Sequence, residues 1–361
     1  MSGNGKMSFL HIFFDGPVRL QVIVCLQIYA QAGEIISSLL EYFTASAVYI
    51  RGLSKIYEKT VECSIELTSS FVLLFFIFYS YLCDDMKRPY SINVRGRLVP
   101  FDKPVVMGIL NVTDDSFYEG SRVASPDELA QRAKSMLDAG ATILDVGACS
   151  TRPGAVPVEA ELELARLHSA LDILDREVPD AVVSVDTFRG SVVRECAALH
   201  NVSIINDVSG FEWDNDMFDA VAACGLPYVL THSMGLAGDA VQYDDFLPQV
   251  LQRLAAKMWQ LRQVGVADII VDPGFGFGKS VEQNYRMLAS LRDFEMLDAP
   301  LLVGLSRKSM ITRLLGIEPH EALAATTALN LVAVKNGADI LRVHDVKEAV
   351  QAIELAQAIG F

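Results

Sequence analysis

Cysteine is scarce in this chain, and the cysteines that it has form no recognisable pattern. The 361 residues contain six cysteines, scattered without a CxxC pair, a zinc signature or the regular spacing of a disulfide framework. Such cysteine usage is typical of a reducing compartment. We therefore expect a cytoplasmic protein.

Basic residues are outnumbered as well. The chain has 30 Lys and Arg against 45 Asp and Glu, which gives a formal net charge of −15. An acidic surface repels a phosphate backbone, so nonspecific nucleic-acid binding is excluded. For the same reason, basic side chains that collect at one place in the fold would be informative, because the remaining surface repels an anionic ligand.

Charge is absent from residues 67–83, a run of 17 residues. This length is the short limit for a membrane-spanning helix, but the run starts too late for a secretory signal. Two interpretations stay open: a membrane-contacting segment before an enzyme, or a protein that begins at Met86. The second is favoured because the strand–helix pattern that begins at Val105 is complete without residues 1–85. We therefore divide the chain into an apolar extension, residues 1–85, and a domain of residues 86–361.

From Val105 onward one pattern repeats eight times. A short apolar run ends on a polar residue, and a helix-like stretch follows it. Buried parallel strands have this composition and need helical crossovers between them. Eight such units predict a (β/α)8 TIM barrel, whose active site lies at the carboxyl ends of the strands. The eight runs are VVMGILN, TILDVGA, VVSVDT, SIINDVS, PYVLTHS, DIIVDPG, PLLVGLS and ILRVHD.

The segments between and before these runs have their own predictions. Residues 86–104 predict a short amphipathic hairpin that closes the barrel bottom. Helix caps and apolar periodicity predict eight helices, over residues 125–140, 156–174, 190–200, 217–224, 246–264, 280–294, 322–335 and 346–359.

Polar side chains at the strand ends should meet at the mouth of this barrel. They are Asn111, Asp145, Asp186, Asn206, His232, Asp272, Ser306, Arg307, Lys308, Arg342 and His344.

Three of them suit a planar heterocycle. Asp272 ends the strand in VDPGFGFGKS, where it would accept hydrogen bonds from ring N–H groups while Phe275 and Phe277 supply stacking surface. The alternative is an ordinary glycine-rich turn, since the spacing matches neither a Walker loop nor a dinucleotide fingerprint. Asp186 and Asn206 alone would be Asx turns or helix caps. Together with Asp272 they suit a ring with an N–C(NH2)–N face, such as a pterin or guanine.

The last two strands carry cations. Barrels often bind phosphate groups there, and three side chains are able to donate to pyrophosphate oxygens: Lys308, Arg342 and His344. The alternative is salt bridging across the barrel top, for example from Arg342 to Asp272 or Asp345. Asn111 is placed for a Mg²⁺ ion or a phosphate oxygen, because a hard cation prefers oxygen ligands.

Taken in order, the strand-end motifs resemble a known family. NVTDDSF, DVGACSTRPGA, SVDT, IINDVSG, DPGFGFGK, GLSRKS and RVHDV closely resemble dihydropteroate synthase, the folate-pathway enzyme that sulfonamides inhibit. The resemblance covers roughly residues 92–361 and leaves out residues 1–85. It implies a transferase that joins 6-hydroxymethyl-7,8-dihydropterin diphosphate to p-aminobenzoate, giving 7,8-dihydropteroate and pyrophosphate.

The resemblance also implies a role for each matching residue. The pterin would be held by Asp186, Asn206, Asp272, Lys308 and Phe277, of which Lys308, Asp186 and Asp272 are the catalytic set. The p-aminobenzoate would be bound by Thr151, Arg152 and Ser309. The diphosphate would be bound by Asn111, Arg342 and His344, with Asn111 also the ligand of Mg²⁺. Residues 113–122 and 149–157 match the family's mobile loops, and members commonly pair as homodimers through their last helices.

Three residues depart from the family pattern. Asp114 replaces a proline in NVTPDSF, Cys149 stands in a GGEST-like segment, and Ser233 follows the histidine of a strand-five motif that is commonly MHM. Two alternatives therefore stay open: a catalytically silent pterin-binding relative, and a methyltetrahydrofolate-dependent methyltransferase with a corrinoid partner. The second would have no use for the STRPG segment or for the basic set.

We expect a protein of residues 86–361 to be soluble and fully active, because every motif residue lies after position 110. Solubility and turnover of the truncated and full-length chains, measured side by side, check this. A truncated protein that is insoluble or inactive would show that the extension belongs to the folded enzyme.

Overall fold

A computed structural model describes residues 8–12, 22–26, 90–112, 126–150, 157–234 and 246–360. The chain divides into two compact units, Met1–Lys87 and Arg88–Phe361. In the first unit, strand β1 (Ser8–Ile12) pairs antiparallel with β2 (Val22–Leu26). Residues 67–83 lie outside the described residues, so their membrane contact stays a prediction, as does the functional division at residue 85. Within the described ranges, every helix is too short or too polar to span a bilayer.

The second unit is an eight-stranded parallel barrel, as predicted. The strand order is β10-β9-β8-β7-β6-β5-β12-β11, and a parallel bridge between Val271 and Leu301 joins the two ends. The strands are β5 (Val105–Asn111), β6 (Ile143–Gly147), β7 (Val182–Asp186), β8 (Val202–Asp207), β9 (Tyr228–Thr231), β10 (Ile269–Asp272), β11 (Leu302–Val303) and β12 (Ile340–Val343).

Nine α-helices are seen in the described part of this unit. All eight predicted helices are confirmed, although the sixth ends early and continues as a 3₁₀ helix, Leu291–Leu297. A short helix after β11 was not predicted, because two turns are too few to show a helical period. The helices are α1 (Pro126–Asp138), α2 (Ala160–Glu177), α3 (Gly190–Leu199), α4 (Met217–Cys224), α5 (Phe246–Gln263), α6 (Val281–Ala289), the unpredicted α7 (Ser309–Leu315), α8 (Leu323–Lys335) and α9 (Val346–Ile359).

A β-hairpin fills the amino-terminal end of the barrel, as the sequence predicted. Strands β3 (Tyr90–Val94) and β4 (Arg97–Phe101) pair antiparallel around a two-residue turn in which Arg95 and Gly96 both have positive φ, the geometry of a type I′ turn. Alternate hairpin residues are buried against the first inward-facing residue of each barrel strand. This inner cluster contains Ile92, Val94, Val99, Phe101, Val105, Met107, Ile143, Val182, Ile204, Val229, Ile270, Leu302 and Ile340.

Arg95 anchors the hairpin to the barrel. Its Nε donates to the carbonyl of Val202 at 2.8 Å, and its Nη2 donates to the carbonyl of His200 at 2.6 Å. The main-chain N–H of Asn93 donates to Asp268 Oδ2 at 2.9 Å. The hairpin is therefore fixed by polar contacts at its turn and by apolar contacts along its inner face.

The same alternation decides what stands at the other end of the barrel. Ile143 belongs to the apolar inner cluster, and Asp145 and Gly147 follow it at two-residue steps along β6. Successive side chains of a strand point to opposite faces, so all three face the interior. The barrel interior is thus apolar at the bottom and polar toward the mouth.

We expect Phe101→Ala to lower the free energy of unfolding by about 3–5 kcal/mol, because it leaves a cavity where the hairpin meets the barrel. The matched control is Leu98→Ala on the same strand. Leu98 is 67% exposed, so its truncation should cost no more than about 0.5 kcal/mol. Urea unfolding of both variants checks this, and equal losses would mean that the hairpin does not close the core.

Candidate active site

Four residues of neighbouring strands lie side by side at the barrel mouth. Asn111, Gly147, Asp186 and Asn206 are successive partners across β5, β6, β7 and β8. A methyl group on Gly147 would lie 3.4 Å from Asp186 Oδ2 and 3.6 Å from Asn111 Oδ1. The glycine therefore leaves open space between two oxygen acceptors.

Arg342 crosses the mouth and joins two carboxylates. Its Nε donates to Asp145 Oδ2 at 2.6 Å, and its Nη2 donates to Asp186 Oδ2 at 2.5 Å. The salt bridge that the sequence offered as an alternative is therefore real, but its expected partners, Asp272 and Asp345, are wrong. Asp345 pairs instead with Arg307, at 2.7 Å. Asp145 pairs with Arg342 because both side chains project into the barrel interior, from strands on either side of β5.

Burial governs the protonation of this cluster. It raises the pKa of Asp186 to about 7, an effect that Arg342 opposes and Asp145 increases. Burial also works against the charge of Arg342, but Asp145 and Asp186 outweigh it and raise the pKa of the guanidinium. The cation is therefore permanent, whereas Asp186 is able to take up a proton.

Asp145 also holds the amide of Asn206. Asn206 Nδ2 donates to Asp145 Oδ2 at 3.0 Å, the same oxygen that accepts from Arg342. The sequence placed Asp145 among the strand-end residues but assigned it no role. The sequence signal for a role was its position on β6, two residues before Gly147, which makes its side chain face the barrel interior.

Asp272 takes part in a tight turn and faces the site as well. Its Oδ1 accepts from the N–H of Gly274 at 2.7 Å, so the glycine-rich-turn interpretation is correct as far as it goes. Gly274 has φ +73, and a methyl group there would lie 2.0 Å from the carbonyl oxygen of His232. No side chain fits at that position. Burial raises the pKa of Asp272, and Lys308 opposes this.

Lys308 lies against the same turn. Its Nζ donates to the carbonyl of Phe275 and stands 4.5 Å from the ring centroid of Phe277, a cation–π contact. Burial lowers the pKa of Lys308 to about 8, against the attraction of Asp272. Phe275 itself is fully buried in the core between strands and helices. The expectation that its ring stacks on a ligand is therefore wrong, and only Phe277 is partly exposed.

Lys279 is a buried cation that sequence reasoning missed. Its Nζ donates to the carbonyls of His232 at 2.8 Å, Gly274 at 2.7 Å and Phe277 at 3.3 Å. Burial lowers the pKa of Lys279 to about 7, although Asp272 opposes the shift. Lys279 thus ties the turn of Asp272 to β9. The only sequence signal was a lysine directly after the glycines.

His232 does not join the mouth, contrary to the expectation for strand ends. It is buried, and both ring nitrogens lack a hydrogen-bond partner among the described residues. Burial lowers its pKa to about 2, with further effects from Lys279 and from Lys257 and Arg253 of α5. Strand alternation explains the position, because His232 shares the outward face of β9 with Leu230 of the outer core.

The remaining predicted residues fall into two groups. His344 lies beside Ser306, with 2.9 Å between Nδ1 and Oγ, and Ser309 begins α7 directly after Lys308. Thr151, Arg152 and Asp114, with residues 113–122 and most of 149–157, lie outside the described residues. Cys149 is buried, and burial raises the pKa of its thiol, which disfavours the reactive thiolate.

Another buried carboxylate, that of Glu163, lies behind the site. Glu163 of α2 is fully buried and accepts from Thr187 Oγ1 at 2.6 Å, next to its ion pair with Arg189. Arg189 Nη2 donates to the carbonyl of Val158 at 2.6 Å. The network joins the residue after Asp186 to the chain that follows residues 151–156. Its sequence signal was a glutamate on the apolar face of α2, four residues before Leu167.

Comparisons with known proteins agree with this arrangement. Residues 107–344 match the family described as pterin binding enzyme. The dihydropteroate synthase of Escherichia coli (strain K12) is 40% identical over 269 residues, which cover 73% of this chain and 94% of that protein.

Solved structures are similar as well. The dihydropteroate synthase of Xanthomonas albilineans with 4-aminobenzoic acid is 38% identical with a TM-score of 0.69, covering 75% of this chain and 98% of that one. The dihydropteroate synthase of Yersinia pestis in a sulfonamide drug complex is 36% identical, also with a TM-score of 0.69, covering 75% of this chain and 99% of that one.

We expect burial of Lys279 to make stability depend on pH. The folded-state pKa is about 7 and the unfolded value 10.5, so the unfolded chain binds more protons between these values and stability rises with pH there. Lys279→Met should show a smaller rise, the remainder coming from Lys308, whose pKa burial also lowers, to about 8. Urea unfolding of both proteins from pH 6 to 10 checks it, and parallel curves would contradict the assignment.

Proposed function

Because the chain belongs to the dihydropteroate synthase family of pterin-binding enzymes, we propose that it condenses 6-hydroxymethyl-7,8-dihydropterin diphosphate with p-aminobenzoate. The products are 7,8-dihydropteroate and pyrophosphate. The observation that carries this is the meeting of acceptors from β7, β8 and β10 with the cations Lys308 and Arg342 at one mouth. The acceptors suit a nitrogen-rich ring, and the cations suit the diphosphate attached to it.

The ring-binding half is made of acceptors. Asp186, Asn206 and Asp272 are all nearly buried, where a hydrogen bond to a carboxylate is stronger than in water. Ring N–H groups of the pterin would donate to them, and Phe277 with Lys308 would cover one edge of the ring. A ligand without N–H groups would leave buried acceptors unpaired, which costs binding energy.

The anion-binding half is made of Arg342, His344 and Asn111. In the free protein Arg342 is shared by Asp145 and Asp186. A bound diphosphate would compete for the same guanidinium, so the ion pair between Asp186 and Arg342 would weaken as the diphosphate binds. The Asp186 carboxylate then faces the ring, where it favours the positive charge that develops as the diphosphate leaves.

A Mg²⁺ ion is proposed at Asn111. Within the described ranges, no three His, Cys, Asp or Glu side chains form a group that suits a metal. The amide oxygen of Asn111 beside Gly147 nevertheless fits an ion that takes one protein oxygen together with phosphate oxygens and water, as Mg²⁺ commonly does. When bound, the ion would neutralise charge on the diphosphate.

The chemistry needs no covalent enzyme intermediate. The bond between the exocyclic carbon and the diphosphate oxygen breaks, and its electron pair leaves with the pyrophosphate. The amino nitrogen of p-aminobenzoate forms the new bond to that carbon and then loses a proton to solvent. Arg342 and His344 stabilise the leaving group, and Thr151, Arg152 and Ser309 are proposed to hold p-aminobenzoate in line. Sulfonamides, which the Yersinia pestis relative binds, would occupy the same place.

Two alternatives are separated by one assay. A catalytically silent relative would bind pterin without turnover, and a methyltransferase would act on methyltetrahydrofolate. Formation of dihydropteroate from both substrates by the purified protein tests the proposal, and its absence would overturn it. The cations that a methyltransferase would not need, Lys308 and Arg342, favour the synthase.

Assembly and location stay proposals. Leu355 and Ile359 of the last helix are more than half exposed, which supports a homodimer through that helix. Cys149, Cys196 and Cys224 are free thiols, which supports work in the cytoplasm.

We expect Lys308→Ala to abolish synthesis while the fold stays intact, because one such donor stabilises the transition state by roughly 2–4 kcal/mol. The matched control is Arg313→Ala, an exposed cation of α7, the helix that directly follows Lys308, which should keep parent activity. Steady-state kinetics and circular dichroism check both variants. Parent-like turnover by a folded Lys308→Ala protein would refute the site.

We also expect ordered binding, in which p-aminobenzoate binds appreciably only after the pterin diphosphate or pyrophosphate. The predicted loop residues Thr151 and Arg152 belong to a segment rich in small residues, which an anion is expected to order. Calorimetric titration with and without pyrophosphate checks this. Equally tight p-aminobenzoate binding to the free protein is the contradicting result.

A further inference from the structure

Asp145 stands at the junction of the two halves of the site, and nothing above gives it a part in the reaction. It is fully buried on the inner face of β6. Its Oδ2 accepts from Asn206 at 3.0 Å and from Arg342 at 2.6 Å, whereas its Oδ1 has no hydrogen-bond partner among the described residues. A single oxygen therefore serves two side chains from β8 and β12.

The contact decides which way the Asn206 amide faces. A side-chain amide has a donating nitrogen and an accepting oxygen, and a carboxylate oxygen accepts only. Because Asp145 Oδ2 lies on one side of the amide, the nitrogen must face it. The oxygen, Asn206 Oδ1, is then the acceptor that the amide offers to a ligand.

Arg342 makes this orientation firm. Its guanidinium donates to both Asp145 and Asp186, so it restrains the Asp145 carboxylate against rotation. A reversed amide would place its oxygen against the Asp145 carboxylate, where two acceptors repel. A reversed amide would also turn N–H groups toward a ligand that itself brings N–H groups.

We propose that Asp145, held by Arg342, is the positioning residue that fixes the Asn206 amide as an acceptor and so makes the site select a ring with N–H donors. The inference rests on the proposed function, because it assigns the pterin to this face. Asp145 acts through Asn206 and does not touch the ligand itself. The acceptor set of Asp186, Asp272 and Asn206 is complete only while Asp145 is in place.

A double-mutant cycle tests the proposal. Affinity for 6-hydroxymethyl-7,8-dihydropterin is measured by calorimetry on the full chain, for the parent, Asp145→Leu, Asn206→Ala and the double variant. Asp145→Leu should weaken binding about tenfold, the effect of one hydrogen bond in a buried site. In the Asn206→Ala background the same change should weaken binding less than twofold, because its target is gone.

The control is Ser184→Ala. Ser184 is the partner of Asp145 on β7 and is equally buried, and its Oγ has no hydrogen-bond partner in the described part of the chain. Its loss should leave affinity within twofold of the parent. Asp145→Asn keeps one accepting oxygen, so it should bind more tightly than Asp145→Leu, and it carries the same cycle if the leucine variant does not fold.

The outcomes separate the two ideas. An equal loss in both backgrounds would mean that Asp145 only supports the barrel, and unchanged affinity of Asp145→Leu would mean that it does not orient the amide. Either result overturns the proposal while the function stands. A parent protein that does not bind the dihydropterin at all would instead overturn the proposed function.

Discussion

The molecule depends on one largely buried guanidinium, that of Arg342, whose side chain is 18% exposed. Two carboxylates from β6 and β7 project into the same low-dielectric interior, and without a positive partner their mutual repulsion and desolvation would be severe. Arg342 from β12 neutralises them across the barrel. The strands that carry the proposed ring acceptors are thereby joined electrostatically to the strand that carries the proposed anion donors.

Residues outside this cluster hold the side chains of the barrel mouth in place. Lys279 holds the turn of Asp272 through three main-chain carbonyls, and Glu163 with Thr187 and Arg189 braces the chain after Asp186. Neither Lys279 nor Glu163 was predicted to matter. Such supporting residues restrict the side chains at the mouth to few rotamers, as a preorganised site requires.

The fold was largely predictable, and so were the residues at the mouth, because apolar strands that end on polar residues are a local signal. The orientation of His232 was not, because one position along a strand decides whether a side chain faces the ligand or the helices. The burial of the Phe275 ring was not predictable either, because Phe275 lies in the turn after β10, and the fold of that turn decides which ring packs into the core. The partners of Arg342 depend on register between distant strands, and α7 is too short to show a period. Side-chain orientation and pairing between distant strands are set when the barrel assembles, so no single segment of the sequence indicates them.

The hairpin of β3 and β4 closes the end of the barrel opposite the mouth, and its packing leaves an apolar floor under the polar site. The barrel is therefore open at one end only. A ligand bound deep in the barrel leaves through the end by which it entered, after any ligand bound nearer the mouth. Under the proposed function, a ring bound against Asp186 and Asp272 would be released only after anything bound nearer the mouth, so release through this single opening would be able to limit turnover even when bond formation is fast.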